Sequence, residues 1–378
     1  MNSSNGPDLS RPGTATTGPG QSWKQRVCCE GRARKVKVLV TGGAGFIGCN
    51  IAARKILENH EVVVFDNLSR RGTEENLRWL RTLGPLEFVR GDVRSASDVT
   101  ALFRNHPDIE VVYHMAAQAA VTTSVENPRE DFEVNALGTF NVLEAVRQSP
   151  RRPVLVFAST NKVYGGMEDV AVVEVDGRYE YRDHPDGIRE DRTLDFHSPY
   201  GCSKGCADQY VRDYARIYGL ETITFRQSCI YGRRQFGLED QGWVAWFTIQ
   251  AVLDRPVTIF GDGKQVRDML FIEDLLDAYD RAVEKRDVTR GKIYNMGGGP
   301  RNKMSLHDLI AYLERLTGRE MKVSYDRWRP GDQPVFVANL DLARQDFGWE
   351  PRTSPEEGVE QLYQWVSDHA KVILDLGL

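Results

Sequence analysis

The chain has 378 residues, 41% of them hydrophobic, and a formal net charge of −5; that length can bury a large core without staples, and that charge offers no basic footprint for nucleic acid. No apolar run approaches the roughly 20 residues that cross a bilayer, so no membrane partner is expected. The six cysteines, Cys28, Cys29, Cys49, Cys202, Cys206 and Cys229, form no paired CxxC motif, so neither a metal site nor a secreted disulfide framework is expected, and the reading is a protein of the reducing cytoplasm.

Residues 1–34 are rich in Ser, Gly, Pro and Thr and lack the apolar core of a secretory signal; they are expected to form a disordered extension or to follow from a misassigned start. From Val36 onward short apolar runs alternate with helical stretches. VKVLVTGG, EVVVFDN, LEFVRGD, VVYHMAA, PVLVFAST and ETITFRQS have the near-continuous Val/Ile/Leu character of strands buried on both faces, and segments such as FIGCNIAARKILENH separate them. That alternation predicts an α/β fold, a Rossmann-like doubly wound parallel sheet, over residues 35–229.

The first strand runs directly into Thr41-Gly42-Gly43-Ala44-Gly45-Phe46-Ile47-Gly48 and then into an amphipathic helix. Glycines at 42 and 45 let the backbone turn tightly beside a pyrophosphate, and Gly48 lets the helix pack closely on the sheet, with helix N-terminal amides facing the anion. Asp66 ends the second strand, where a carboxylate can hold the adenosine ribose hydroxyls and favour NAD over NADP. Arg70 and Arg71 nearby leave an opening for a 2′-phosphate. Asp92 after the third strand has two readings, a contact to the adenine amine or a plain strand-end turn. Phe46, Ile47, Asn67, Ser69, Val93 and Ala116 complete the cofactor candidates.

Thr160 closes the fifth strand at the edge where open parallel sheets bind ligands, and it is expected to bridge to the reacting oxygen or, alternatively, to cap its own backbone. VVEVDGRYEYRD, with Asp176-Gly177 at its centre, predicts a hairpin before Tyr200. Tyr200-Gly201-Cys202-Ser203-Lys204 then places a phenol and an ammonium one helical turn apart. A cation beside a phenol lowers its pKa toward a usable range, so Tyr200 is the candidate acid/base and Lys204 its activator. Cys202 and Cys206 share a helical face and are expected to be buried small residues rather than metal ligands.

After about residue 229 the regular alternation breaks into helical pieces near Gln241–Leu253 and Leu306–Leu316, with short strands at VTIF and KIYNM. Residues 230–378 are therefore expected to form mainly a smaller substrate-binding lobe, with some return to the core. The Gln235-Phe236 and Gln241-Gly242-Trp243 stretch offers contacts to base or sugar, or core packing.

The glycine pattern, HMAA from His114 to Ala117, STNKVYG from Ser159 to Gly165, and YGCSK together resemble the extended short-chain dehydrogenase/reductases that act on nucleotide sugars. STNKVYG, the insertion before LDFHSPYGCSKGCADQY, and GRRQFGLEDQGW are similar, more narrowly, to the 2-epimerases of CDP-deoxysugars. The resemblance implies tightly held NAD and a catalytic set of Thr160, Tyr200 and Lys204. It further implies inversion at C2, CDP-paratose to CDP-tyvelose, through a 2-keto sugar. Arg267 and Arg329 match its diphosphate-binding positions, and Ser124 and Asn161 join Gln235 and Gln241 as substrate candidates. Related 4,6-dehydratases carry Asp-Glu after the catalytic Thr, where this chain has Asn161-Lys162, so dehydration is disfavoured. Other readings are a 4-epimerase, a 2-epimerase on another nucleotide sugar, or a non-catalytic dinucleotide sensor. A homodimer or homotetramer built through paired helices, one of them Ser203–Tyr218, is likewise implied.

Overall fold

The computed structural model describes residues 34–329 and 331–378; of the expected N-terminal extension, residues 1–33, with Cys28 and Cys29, lie outside them. Residues Lys35–Leu378 form one unit. In β1 (Lys37–Thr41), Val38 and Val40 pack into one core cluster and Leu39 into another. In β2 (Glu61–Asp66), Val62 and Val64 face the first cluster and Val63 and Phe65 the second. Because successive side chains point to opposite faces, an unbroken apolar run requires a sheet covered on both sides.

That covering comes from alternating helices: α1 (Phe46–Leu57) between β1 and β2, then α2 (Thr73–Leu83), β3 (Glu87–Arg90), α3 (Ala96–Asn105) and β4 (Val111–His114). The chain continues through α4 (Val121–Glu126), α5 (Pro128–Phe132), a π-turn over Glu133–Leu137, α6 (Gly138–Gln148) and β5 (Val154–Thr160). A 3-10 turn, Asn161–Tyr164, leads to the hairpin β6 (Val172–Val175) and β7 (Arg178–Tyr181). Both central turn residues, Asp176 and Gly177, have left-handed φ of 50° and 76°, the geometry a two-residue hairpin turn favours. Next come α7 (Ser198–Tyr218), β8 (Thr222–Gln227), β9 (Cys229–Tyr231), α8 (Trp243–Val252), β10 (Val257–Phe260), β11 (Val266–Phe271), α9 (Ile272–Glu284), α10 (Arg286–Thr289) and β12 (Lys292–Met296). The remainder holds β13 (Lys303–Ser305), α11 (Leu306–Thr317), β14 (Val323–Asp326), β15 (Val335–Phe336) and helices over Asp341–Phe347, Pro355–Asp368 and Ala370–Asp375.

The main sheet has seven strands in the order β12-β8-β5-β4-β1-β2-β3, every pair parallel. The chain winds outward in one direction through β1, β2 and β3 and in the other from β4, so the order reverses between β1 and β4. A crevice opens at the carboxyl ends of the strands at such a reversal. KIYNM, expected among the strands of the smaller lobe, is instead β12, the seventh strand of this sheet, paired with β8 from Lys292–Ile223 to Met296–Gln227. Its partner lies some seventy residues earlier, a pairing that local periodicity does not register. Beyond the main sheet, β11 gathers β9, β13 and β15, and β10 pairs with β14.

Candidate active site

Gly42 has a φ of 64°, and a Cβ there would sit 2.6 Å from the Ala116 amide nitrogen; one on Gly48 would lie 2.2 Å from the Gly42 carbonyl oxygen. Only glycine permits both approaches, so the turn after β1 lies against the chain leaving β4. Gly45 caps α1 without a side-chain bond, and the first turn of α1 has no acidic residue, which leaves its amides to an anion. Phe46 and Ile47 open that helix. Asp66, buried at the end of β2, accepts from the amides of Ala44 (3.0 Å) and Leu68 (2.8 Å). Burial pushes its carboxyl above the usual range, against these backbone bonds.

Asn67 donates to Asp92 at 3.0 Å and accepts from the Ser69 amide at 3.0 Å. Asp92 also holds Arg94 through two bonds, 3.0 and 2.7 Å, and the Arg94 bond lowers its carboxyl to about 2. Val93 is buried beside Gly138. Arg70 donates to the Gln241 side chain and Arg71 to the Gly377 carbonyl.

At the end of β5, Thr160 donates to the Asn161 side chain at 3.4 Å and accepts from the Lys162 amide at 3.2 Å. Tyr200 is seated by Ser124, whose hydroxyl donates to the Val121 carbonyl (2.6 Å) and accepts from the Tyr200 amide (3.1 Å). Burial raises the phenol to about 12, with Thr160 and the guanidinium of Arg70 pulling it down and Asp131 pushing it up. Lys204 departs from the expected pairing. Its ammonium donates to the Ala158 carbonyl at 2.6 Å and stands 4.3 Å over the Phe157 ring, and burial lowers it to about 8. Spacing by four residues puts two side chains on one helix face, yet the lysine ends on a carbonyl of β5.

Below this pair lies a polar network that composition alone conceals. Asn135, presented by the π-turn, donates to Asp131 (3.0 Å), Ser203 (3.1 Å) and the Gln118 carbonyl (3.0 Å). His114 bridges Thr41 (2.7 Å) and Thr139 (3.0 Å). Burial, with the Lys204 ammonium, lowers its imidazole to about 3, so the ring is neutral. Since Thr139 donates to the Asn135 carbonyl, it accepts from His114 Nε2, and Thr41 donates to Nδ1.

Beside the acid/base pair a cavity of about 440 Å³ is enclosed by α4, the loop before α8, β10, β11 and the loop before β15. Arg267 and Arg329 both line it, together with Gln241. Arg267 donates to Asp332 at 2.6 Å; Arg329 bonds the Glu239 carbonyl twice at 3.1 Å and stacks 3.9 Å over Phe260. Two other substrate candidates are occupied elsewhere, and a third, Gln235, keeps its side-chain oxygen without a hydrogen-bond partner. Ser124 spends both its bonds on the backbone, and Asn161 donates to Gln333 at 3.2 Å. Gln235 is buried, its amide near the Ile230 carbonyl at 3.4 Å.

Residues 38–297 match the family described as NAD dependent epimerase/dehydratase. The chain belongs to this family. It is 46% identical over 338 residues, 88% of this chain and 99% of the relative, to CDP-paratose 2-epimerase of Salmonella typhi. The crystal structure of UDP-glucose 4-epimerase with UDP-glucose from Thermotoga maritima has a TM-score of 0.77 at 30% identity, covering 89% of this chain and 100% of that one. The Thermus thermophilus UDP-glucose 4-epimerase complex with NAD has a TM-score of 0.73 at 33% identity, covering 87% and 98%.

The NAD of this family fits the residues present: a glycine cradle that any Cβ would fill, an uncapped helix start, and a buried carboxylate at the end of β2. Among the described residues no group of three or more His, Cys, Asp or Glu is placed to hold a metal ion, and no helix is long and apolar enough to cross a membrane. Cys202 is exposed and Cys206 half-buried, contrary to expectation. The face of α7 that meets the sheet carries Lys204, Asp208 and Val211, and the cysteines lie off it. Sequence reasoning noted Lys162 only as a replacement for a dehydratase acid and did not single out Asp240, Phe260 or Asp332; all four line the cavity. The STNK and WRPGD strings hold two of them, but nothing local says that they meet.

Proposed function

We propose that this family member is a nucleotide-sugar 2-epimerase that converts CDP-paratose to CDP-tyvelose through a 2-keto sugar. The observation that carries the reading is 46% identity spanning 99% of a relative named for that activity. Gly42, Gly45, Gly48, Phe46, Ile47 and Ala116 would cradle the dinucleotide, with Asp66, Asn67, Ser69, Arg70, Asp92 and Val93 toward its adenosine end and Lys204 toward the nicotinamide ribose. NAD bound there supplies the acceptor and donor of hydride. Tyr200 takes the proton of the sugar hydroxyl as the ketone forms and gives it back, and Thr160, at the end of β5, would hold the same oxygen. Arg267, Arg329 and Gln241 receive the diphosphate and nucleoside in the cavity, and residues 230–378 mainly cover the substrate. Asn161, tied to Gln333, shapes the wall of the site.

The same reading extends to assembly. Phe132, Leu137 and Phe140, along the π-turn and its flanking helices, and Tyr210, Ile217 and Tyr218 of α7 are exposed apolar side chains, with Phe140 and Tyr210 in edge contact at 5.9 Å. A second copy of the chain, covering this face with its own, is the occupant that suits it. A cytoplasmic location agrees with the free thiols of Cys49, Cys202, Cys206 and Cys229. Incubating the purified protein with CDP-, UDP- and GDP-sugars and identifying epimers by NMR tests the function. A C2 epimer from a CDP-deoxysugar is expected, whereas a C4 epimer overturns the carbon assignment and no epimer from any sugar favours a dinucleotide sensor.

A further inference from the structure

Lys162 belongs to no helix or strand that the cofactor uses, yet it connects the two halves of the site. Its amide donates to Thr160 Oγ1 at 3.2 Å, while its ammonium reaches into the cavity that Arg267 and Arg329 line. There Nζ donates to the Gly331 carbonyl at 3.1 Å and lies 3.8 Å from Asp332. The same Asp332 oxygen holds Arg267 at 2.6 Å. One carboxylate thus faces two cations across a mostly buried space, leaving one positive charge that an added phosphate oxygen can balance.

We propose that Lys162 is a third cation of the diphosphate seat, binding the phosphate next to the sugar and so presenting C2 to Thr160 and Tyr200. The inference rests on the 2-epimerase reading for its choice of carbon. The sugar joins its phosphate at C1, and C2 is the neighbouring carbon, whereas C4 lies on the far side of the ring. To bring C2 to the acid/base, the phosphate must sit close to it, and a cation two residues from Thr160 is where that requires attraction. A glutamate at this position, as in the dehydratases, repels the phosphate instead.

The ammonium carries a signature that separates binding from a structural role. Burial, with Arg267 beside it, lowers Lys162 to about 8, while Asp332 acts in the other direction. Arg329, Glu126, Glu239 and Asp240 complete the charged lining. A bound diphosphate favours the charged lysine and raises its pKa. Affinity is therefore full below about pH 8 and falls as pH rises through that value toward the pKa of the bound state.

Calorimetric titration of the NAD-loaded protein with CDP-glucose and UDP-glucose, whose diphosphate diesters do not titrate in this interval, tests the assignment, with cytidine as a phosphate-free control. Lys162→Met is expected to weaken sugar-nucleotide binding by roughly 10- to 100-fold, the scale of a lost charge-assisted bond, with cytidine binding and melting temperature unchanged. Lys162→Arg, which stays charged, is expected to restore most of the affinity and to remove its decline above pH 8. Binding by Lys162→Met within twofold of the parent, or the same decline in Lys162→Arg, overturns the proposal. Binding of UDP-glucose alone, or inversion at C4, instead refutes the substrate or carbon of the proposed function and leaves the Lys162 comparison readable.

Discussion

Tyr200 meets its proton in a setting that resists ionisation. Its phenol is raised to about 12 by burial, and the groups that pull it down are Thr160 and Arg70 rather than Lys204. A phenol held this firmly suits the donating role when a ketone is reduced, whereas taking the sugar's proton in the first half-reaction requires it to ionise, which the positive charge of bound NAD would favour. Tyr200→Phe removes the transferable proton but keeps the ring that fills the site. Epimerisation should fall by roughly 10²- to 10⁴-fold while the variant still copurifies with NAD, as nucleotide extraction and a turnover assay will show; near-normal turnover removes Tyr200 from the mechanism. The places of Gly42, Gly45 and Gly48 at the turn into α1, of Asp66 and Thr160 at strand ends and of Tyr200 in the first turn of α7 were legible in the sequence, because each lies at the end of a strand or the start of a helix. The direction of the Lys204 ammonium was not, since a four-carbon stem leaves its end free to choose between the phenol and the Ala158 carbonyl.

Among the elements, β11 joins the sheet to the substrate side, and a buried carboxylate makes the joint. Asp268 accepts from the amides of Gly299 (3.1 Å) and Ala338 (3.0 Å) with one oxygen and from the Ser228 hydroxyl with the other. Asp268→Ala orphans two buried amides and should cost about 3 kcal/mol or more. Asp268→Asn can keep its oxygen on the amides and turn its NH2 to Ser228, which can accept, so its cost should stay under about 1 kcal/mol. Equal losses in chemical denaturation contradict this account of the joint. Burial lifts the Asp268 carboxyl to about 6, above the value of about 3.9 in an unfolded chain. The stability it contributes is therefore present in full below the unfolded pKa and lost as pH rises through about 6. The asparagine variant, which does not titrate, should gain on the parent over that interval. Periodicity identified six strands of the main sheet and the Asp176-Gly177 hairpin. It did not show that β12 returns to the sheet, because strand pairing at long separation is decided by tertiary packing.

For the molecule as a whole, one crevice at the β1/β4 reversal and one cavity beside it meet at Thr160–Lys162, and an apolar face on the π-turn, α6 and α7 lies open. If a second copy covers that face, Phe140→Asp with Ile217→Asp should sediment as a monomer where the parent is a dimer, its fold intact by circular dichroism; an unchanged dimer assigns assembly to another surface. The cavity was legible only in part, through Gln241, Arg267 and Arg329, since Asp240, Phe260 and Asp332 are brought to the same wall only by the return of the chain after β5. The proposed function inverts C2 by loss and return of the same hydrogen. A carbon bearing a hydroxyl and no adjacent carbonyl does not release a proton, so on the proposed function the C2 hydrogen leaves as hydride and returns to C2 without exchange with water. NMR of unlabelled CDP-paratose turned over in heavy water tests this directly. CDP-tyvelose carrying protium at C2 is the predicted product, and either substantial deuterium at C2 or inversion at C4 with C2 untouched contradicts the account.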